Sequence, residues 1–555
     1  MNTAKRLLVS ATICASFVFL TGCSREPSFD IDRITADVRV LSADDFGGRA
    51  PASEGEEKTI AFLIKQMQEA GLKPGGDAAA DGSRAWTQDV PLLRSEITGP
   101  IAVSVRAGKN QIPWTQGEQI ALRAAQTGTD HVKLANLPLV FVGYGVSAPE
   151  RQWDDFKGID LKGKIALILV NDPDFETGEG DFGGKAMTYY GRWTYKYEEA
   201  ARRGAAGALV IHETEPASYG WATVKNSNTA EMFDVLRANP LADHVPVEGW
   251  IQRDVAGDLF NRAGLDFQSL KARARTREFQ PVILPDTRIS IDYAVKQTRV
   301  ISKNVIGVLL GSKHPDEWVL YTAHWDHLGV IPDAKGGDAI YNGAVDNAAG
   351  TAQLLEIARN FAKTKPTERS LAFAFVTAEE RGLLGSEYYA MNPLYPLAKT
   401  VANLNTDAPR PLGPAKDFST AGDAPSTLQD ILIEVGGKYG RSFTPEAKPE
   451  AGYFFRSDHF SLAKRGVPAI SFRSGGELRD GEAGAGKAWD DAYREDRYHQ
   501  PADEIGDDWR SDGIAADGQL LYSLGRKLAD SRVWPEWKEG AEFKAARDAS
   551  AAERQ

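Results

Sequence analysis

The chain has 555 residues, which at roughly 150 residues per domain allows about three folding units and a large buried core. Its 42% hydrophobic and 26% charged content is that of a globular protein and excludes a disordered, collagenous or rod-like chain. The net charge of −12 repels a phosphate backbone and argues against a nucleic-acid partner. Both cysteines, Cys14 and Cys23, lie at the N-terminus, so the folded body has neither a disulfide framework nor a thiolate metal site.

The first residues read as an address. Lys5 and Arg6 precede an apolar run from Leu7 to Leu20 and the small residues Thr21 and Gly22, a secretory-signal layout too short for a membrane-spanning helix. Leu20-Thr21-Gly22-Cys23 resembles a bacterial lipobox. That resemblance implies removal of residues 1–22, acylation of Cys23 and a body anchored to a membrane of the cell envelope by acyl chains. Ser24 implies, in the same resemblance, the outer membrane, with the body facing the periplasm or the exterior.

A helix is predicted from Ser53. Ser53 and Glu56 form a capping box, Ile60, Leu63, Ile64 and Met67 make one apolar face, Gly71 ends it and Pro74 follows. Trp86 to Leu92 reads as a short strand, followed by a long mixed polar stretch. Between about 130 and 290 the texture is β-rich, with strands at Leu139 to Val146 and Lys164 to Asn171, a helix at Tyr195 to Arg203 and an apolar run at Gly207 to Ile211. Within it, Phe141-Val142-Gly143-Tyr144-Gly145, Asp154-Asp155-Phe156 and Leu161-Lys162-Gly163-Lys164 resemble a protease-associated (PA) domain, and no catalytic constellation appears there.

After about 295 apolar strands alternate with amphipathic helices, which predicts an α/β fold with a mostly parallel mixed sheet and helices on both faces. Candidate strands are Val305 to Leu310, Trp318 to Thr322, Leu371 to Val376 and Val467 to Phe472. Helices are expected after Asp346 and from Ser426 through Val435, and the Ala-, Glu- and Arg-rich last dozen residues are expected to fray.

On this map His324, the pair Glu379-Glu380 and Asp407 each fall just past an apolar strand, where open α/β sheets bind ligands. Asp346 sits in the loop Asn342-Gly343-Ala344-Val345-Asp346-Asn347 that opens a helix, and His499 lies in Tyr498-His499-Gln500-Pro501. Imidazoles and carboxylates of this kind suit zinc, and two zinc ions roughly 3.5 to 4 Å apart need a bridging carboxylate. Adjacent glutamates point differently, so one can bind metal while the other stays free as a general base. In His324-Trp325-Asp326 the aspartate can accept the second ring N–H of the histidine and fix its tautomer.

These motifs, over about 300 to 505, resemble the co-catalytic zinc peptidases of family M28, the aminopeptidase Y and glutamate carboxypeptidase group. The resemblance implies His324 and Asp407 on one zinc, Glu380 and His499 on the other and Asp346 bridging both. It further implies Glu379 as general base and Asp326 as the partner that orients His324. Tyr498 and Tyr453 are candidates for an oxyanion-stabilising hydroxyl. The supporting context is Asn405 before Asp407, and Ser457-Asp458-His459 followed by Gly466-Val467-Pro468-Ala469-Ile470.

The expected division is then 24–125 as the first part of the peptidase domain, 126–292 as the PA-like insertion, 293–540 as the main part with the metal site and 541–555 as a disordered tail. His327 and His459 read as structural, and His131, His212, His244 and His314 as ordinary surface or turn residues. The leading expectation is an aminopeptidase acting on peptides. The alternatives are a carboxypeptidase for acidic C-termini, which would need Arg and Lys around the pocket and for which Arg456 and Arg473 are candidates, a glutaminyl-cyclase-like enzyme, and a non-catalytic binding lipoprotein.

Overall fold

The helix predicted from Ser53 runs over Glu54–Ala70 in the computed structural model, which describes residues 28–332, 337–423 and 425–554. The signal segment, the lipobox and Cys23 lie outside the described residues. Ser53 Oγ accepts the N–H of Glu56, and Gly71 closes the helix in the left-handed region at φ 87°. The Glu56 carboxylate does not return to Ser53. It accepts instead from the Ala52 N–H and from Ser302 Oγ at 2.7 Å, tying the helix start to the central sheet.

The strand expected to stop at Leu92 continues over Thr87–Ala107 and pairs antiparallel with a still longer strand, Val282–Leu309. In the structure Gly99 takes φ 71° near a register shift between Asp292 and Ala294, a bulge that bends the ribbon without ending it. The expected boundary at 292/293 therefore falls inside one strand, which joins two halves of a continuous sheet.

The inserted half departs from the β-rich expectation. His131–Phe141, Ile165–Leu169, Gly207–His212 and Val247–Gln252 are parallel neighbours, covered by Trp193–Arg202 and Arg253–Arg262. Their short apolar runs are buried on both faces, with Phe141, Leu167 and Leu209 in one cluster and Val140, Ala166 and Val210 in another, so they lack the alternation that marks a one-sided sheet. At the carboxyl ends of these strands the buried Lys196 ammonium donates to the carbonyls of Tyr144, Asn171 and Tyr190 at 2.6, 2.9 and 2.6 Å.

In the main half, His314–His324 lies between Arg369–Val376 and Thr400–Thr406, parallel to both, and Ala469–Ser474 continues the parallel set. Val319, Tyr321, Phe373 and Phe375 meet Leu354 and Phe361 of the helix Gly350–Lys363 and Leu520 and Leu524 of Asp512–Ala529. The alternate residues Trp318, Leu320, Ala372 and Ala374 meet Tyr389 and Leu462 on the other face. This is the predicted sheet with helices on both sides. The described part of the C-terminal stretch, up to residue 554, does not fray. Lys544–Asp548 is helical, and Arg547 sets its guanidinium over the Trp534 ring and donates to the Thr400 carbonyl at 3.0 Å, so an arginine that reads as solvated charge is buried and bonded.

One polar cluster far from the strand ends gives a pH prediction. His244 lies with Nε2 2.9 Å from Asp234 and Nδ1 2.8 Å from Glu248. Burial pushes the imidazole pKa down, but Glu248 and Asp234 outweigh it and raise the pKa to about 10. Because the folded value exceeds the unfolded one, the stabilisation is complete below about pH 6.5 and is lost as pH rises through about 10. Wild type should exceed His244→Gln by on the order of 3 kcal/mol near pH 6, with the gap closing towards pH 10 in paired thermal melts. A pH-independent gap would contradict a charged His244.

Candidate metal centre

His314–His324, Arg369–Val376 and Thr400–Thr406 are parallel, so His324, Glu379-Glu380 and Asp407 leave the sheet at one edge. Asp346 arrives from an irregular turn before the helix Gly350–Lys363, joined to Asn347 by a cis peptide bond. The turn needs Gly343, whose φ is 57° and whose added Cβ would lie 2.6 Å from the His327 ring. His499 comes from the loop after Ala485–Asp496.

The two oxygens of Asp346 face different imidazoles. Oδ1 is 3.3 Å from His324 Nε2, which also lies 3.4 Å from Asp407 Oδ1. Oδ2 is 3.3 Å from His499 Nε2, itself 3.0 Å from Glu380 Oε2. Asp346 thus stands between a His324–Asp407 pair and a His499–Glu380 pair. The centre is graded in exposure: the side chain of His324 is 1% exposed, those of Asp407 and His499 20% and 37%, so the latter two mark the open side.

Asp326 has a nearer task than orienting His324. Its Oδ1 is 3.7 Å from His324 Nδ1, beyond hydrogen-bond range, whereas its carboxylate accepts the N–H groups of Glu379 at 3.0 Å and Glu380 at 3.4 Å. His324 Nδ1 faces the Asp326 backbone carbonyl at 3.2 Å instead. Tyr498 stacks on His499 with ring centroids 3.9 Å apart and is 45% exposed. The Tyr453 ring is surrounded by the guanidinium groups of Arg456, Arg473 and Arg494.

Three residues of the site were not assigned to it from sequence. His327, read as structural, holds Nδ1 2.6 Å from Glu380 Oε1 and forms a three-donor group with Asp346 and Glu380. Asp503 accepts the N–H groups of Val345 and Asp346 at 3.1 and 3.0 Å, fixing the turn that presents Asp346. Arg49 is buried and donates to the carbonyls of Trp325, Asn342 and Gly343 at 2.9, 2.6 and 2.9 Å, clamping the His324 and Asp346 loops together. Asp503, four residues after His499, was within reach of a spacing argument; Arg49 carries no motif. Asn405 donates to Ser457 Oγ at 2.8 Å and Asn347 Oδ1 accepts from Ala408 at 3.0 Å, so the supporting residues link the loops.

The charges diverge across the site. Burial disfavours ionised Asp346, yet His324 and His499 outweigh it and hold its carboxyl well below the ordinary range. Burial, opposed by His324 and reinforced by Asp407 and Glu380, pushes Glu379 well above the ordinary glutamate range. Two neighbouring carboxyls pushed apart in this way mark a division between a ligand and a proton carrier.

The donor set fits a metal. Among the described residues no lysine or arginine pairs with Asp346, Glu379, Glu380 or Asp407, and His327 Nε2 and both carboxylate oxygens of Asp458 are buried without partners. Such an excess of buried negative charge calls for cations, and His nitrogen with carboxylate oxygen and no sulfur suits zinc. A histidine–carboxylate centre at the carboxyl edge of a mostly parallel sheet, with a free glutamate beside it, defines a metallohydrolase.

Comparisons with known proteins narrow the class. Residues 304–522 match the profile described as Peptidase family M28. Over 520 residues the chain is 29% identical to aminopeptidase YwaD of Bacillus subtilis (strain 168), covering 91% of this chain and 87% of that one. Over 320 residues it is 37% identical to aminopeptidase NAALADL1 of Rattus norvegicus, covering 49% of this chain and 38% of that protein. The solved aminopeptidase from Aneurinibacillus sp. strain AM-1 is similar over 90% of this chain and 94% of its own, at 20% identity and a TM-score of 0.48. Residues 304–522 thus carry the match to peptidase family M28, and the chain is a metallopeptidase.

Proposed function

We propose that the chain is a two-zinc aminopeptidase that removes N-terminal residues from peptides. The observation that carries this reading is Asp346 with one oxygen toward each of two His–carboxylate pairs, next to Glu379, which joins neither pair although it lies within reach of His324 and Glu380. His324, Asp407, Asp346, Glu380 and His499 would hold the ions, and bound zinc would lower the pKa of water towards ~7 and polarise a carbonyl oxygen. Glu379 takes the proton of the attacking water at its carboxylate and returns it to the leaving amine. Asp326 holds the Glu379 and Glu380 N–H groups, so the two side chains diverge from a fixed backbone. Tyr498, exposed beside His499, is positioned to donate its hydroxyl to the oxygen that gains charge.

The names of the relatives, aminopeptidases in both cases, support removal from the N-terminus. The lipobox supports attachment to the cell envelope through an acylated Cys23. A zinc-loaded form beginning after Cys23, incubated with a mixed peptide library and read by mass spectrometry, should release single N-terminal residues. Release from the C-terminus would instead establish a carboxypeptidase of the glutamate carboxypeptidase type.

A further inference from the structure

His327 is a buried imidazole that neither the fold nor the donors assigned to zinc account for. Its side chain is 0% exposed, its Nδ1 lies 2.6 Å from Glu380 Oε1, and its Nε2 has no hydrogen-bond partner. A histidine kept for packing has its ring nitrogens satisfied, because a buried polar atom without a partner destabilises the fold. Here the ring faces a carboxylate of the metal centre instead. The donors of His327, Asp346 and Glu380 all lie within 4.8 Å of one another, the compactness shown by His324, Asp346 and Asp407 on the other side of Asp346.

Asp346 and Glu380 are therefore faced by two imidazoles. His499 comes from the open side: its side chain is 37% exposed, and its Nε2 is 3.3 Å from Asp346 Oδ2 and 3.0 Å from Glu380 Oε2. Its backbone sits in the left-handed region at φ 55°, a strained conformation for a residue with a Cβ, and the strain is relieved when the loop moves. His327 comes from the closed side. It follows the strand His314–His324, its N–H donates to the Arg49 carbonyl at 3.3 Å, and its ring packs so closely on Gly343 that an added Cβ there would lie 2.6 Å away. The two rings meet edge to face with centroids 5.8 Å apart, His327 addressing Oε1 of Glu380 and His499 addressing Oε2.

We infer that the second zinc has two seats, both built on Asp346 and Glu380: an outer one completed by His499 and an inner one completed by His327. Each offers one imidazole nitrogen and two carboxylates, a donor set that suits zinc, and the ion keeps both carboxylates as it passes from one to the other. The inner seat takes His327 as the neutral tautomer with its proton on Nε2, so the proton that Nδ1 directs at Glu380 is exchanged through solvent. Release of His499 then opens the centre towards peptide without loss of the ion. The inner seat rests on the two-zinc reading and adds His327 to its ligands.

The test is a double-mutant cycle on zinc affinity, measured by drawing zinc from the loaded enzyme with a chromogenic chelator. His499→Ala alone is expected to keep two equivalents, the second weakened by less than about tenfold, because His327 takes over. In a His327→Gln background the same change should cost about 10²- to 10³-fold, a whole ligand's share. Glutamine still donates to Glu380 from its amide but supplies no imidazole, so it separates a ligand from a group that only orients Glu380. His327→Ala, which removes bulk beside Gly343, should show the same coupling and guards against a glutamine that disturbs the fold. Two equivalents in wild type with losses that simply add, or loss of the second ion in His499→Ala alone, overturn the inner seat and leave the two-zinc reading standing. A wild type that takes up one equivalent overturns that reading, and the inner seat with it.

Discussion

Glu379→Gln lowers kcat by about 10²- to 10⁴-fold without loss of metal, the range expected when a positioned general base is removed. The Glu379 N–H is fixed by Asp326 at 3.0 Å, and its carboxyl, raised by burial, lies next to but outside the paired donors. Glutamine keeps the shape and the backbone hydrogen bond but cannot accept a proton. The check is steady-state kinetics together with metal content. A loss below tenfold would remove Glu379 from the chemistry, and a parallel loss of zinc would make it a ligand.

Asp346→Asn is expected to weaken zinc binding by about 10²- to 10³-fold, roughly one ligand's share of a site's binding energy. The effect should fall on both ions, because Oδ1 faces His324 and Oδ2 faces His499. Asp503 would go on holding the turn through the backbone of residues 345 and 346, so the variant should fold. Competition with a chromogenic chelator measures the affinities. Loss of one ion with the other held at wild-type affinity would contradict the bridging position.

The candidate site was legible because each proposed ligand stands next to a recognisable local pattern: a strand end for His324, Glu380 and Asp407, a Gly-rich turn for Asp346, a Tyr-His-Gln-Pro loop for His499. The main sheet was legible for a related reason. Runs such as Trp318 to Thr322 and Leu371 to Val376 are apolar on both faces, which only a covered sheet tolerates. What escaped depends on partners distant in sequence. Asp326 neighbours His324 in the chain, but its carboxylate serves backbone groups more than fifty residues away. Arg49 acts through carbonyls nearly three hundred positions on, and a buried arginine has no periodic signature. Thr87–Ala107 was expected to stop at Leu92 because its continuation is mixed polar, and its pairing partner, Val282–Leu309, is nearly two hundred residues away.

The most direct test of the account is a zinc titration of the chelator-stripped, folded chain with peptide hydrolysis as the readout. Activity should be near zero without metal, rise with added zinc and reach its plateau at two equivalents per chain, while Glu379→Gln takes up the same two and stays inactive. Hydrolysis that survives complete removal of metal, or a plateau at one equivalent, would contradict a two-ion centre built on Asp346.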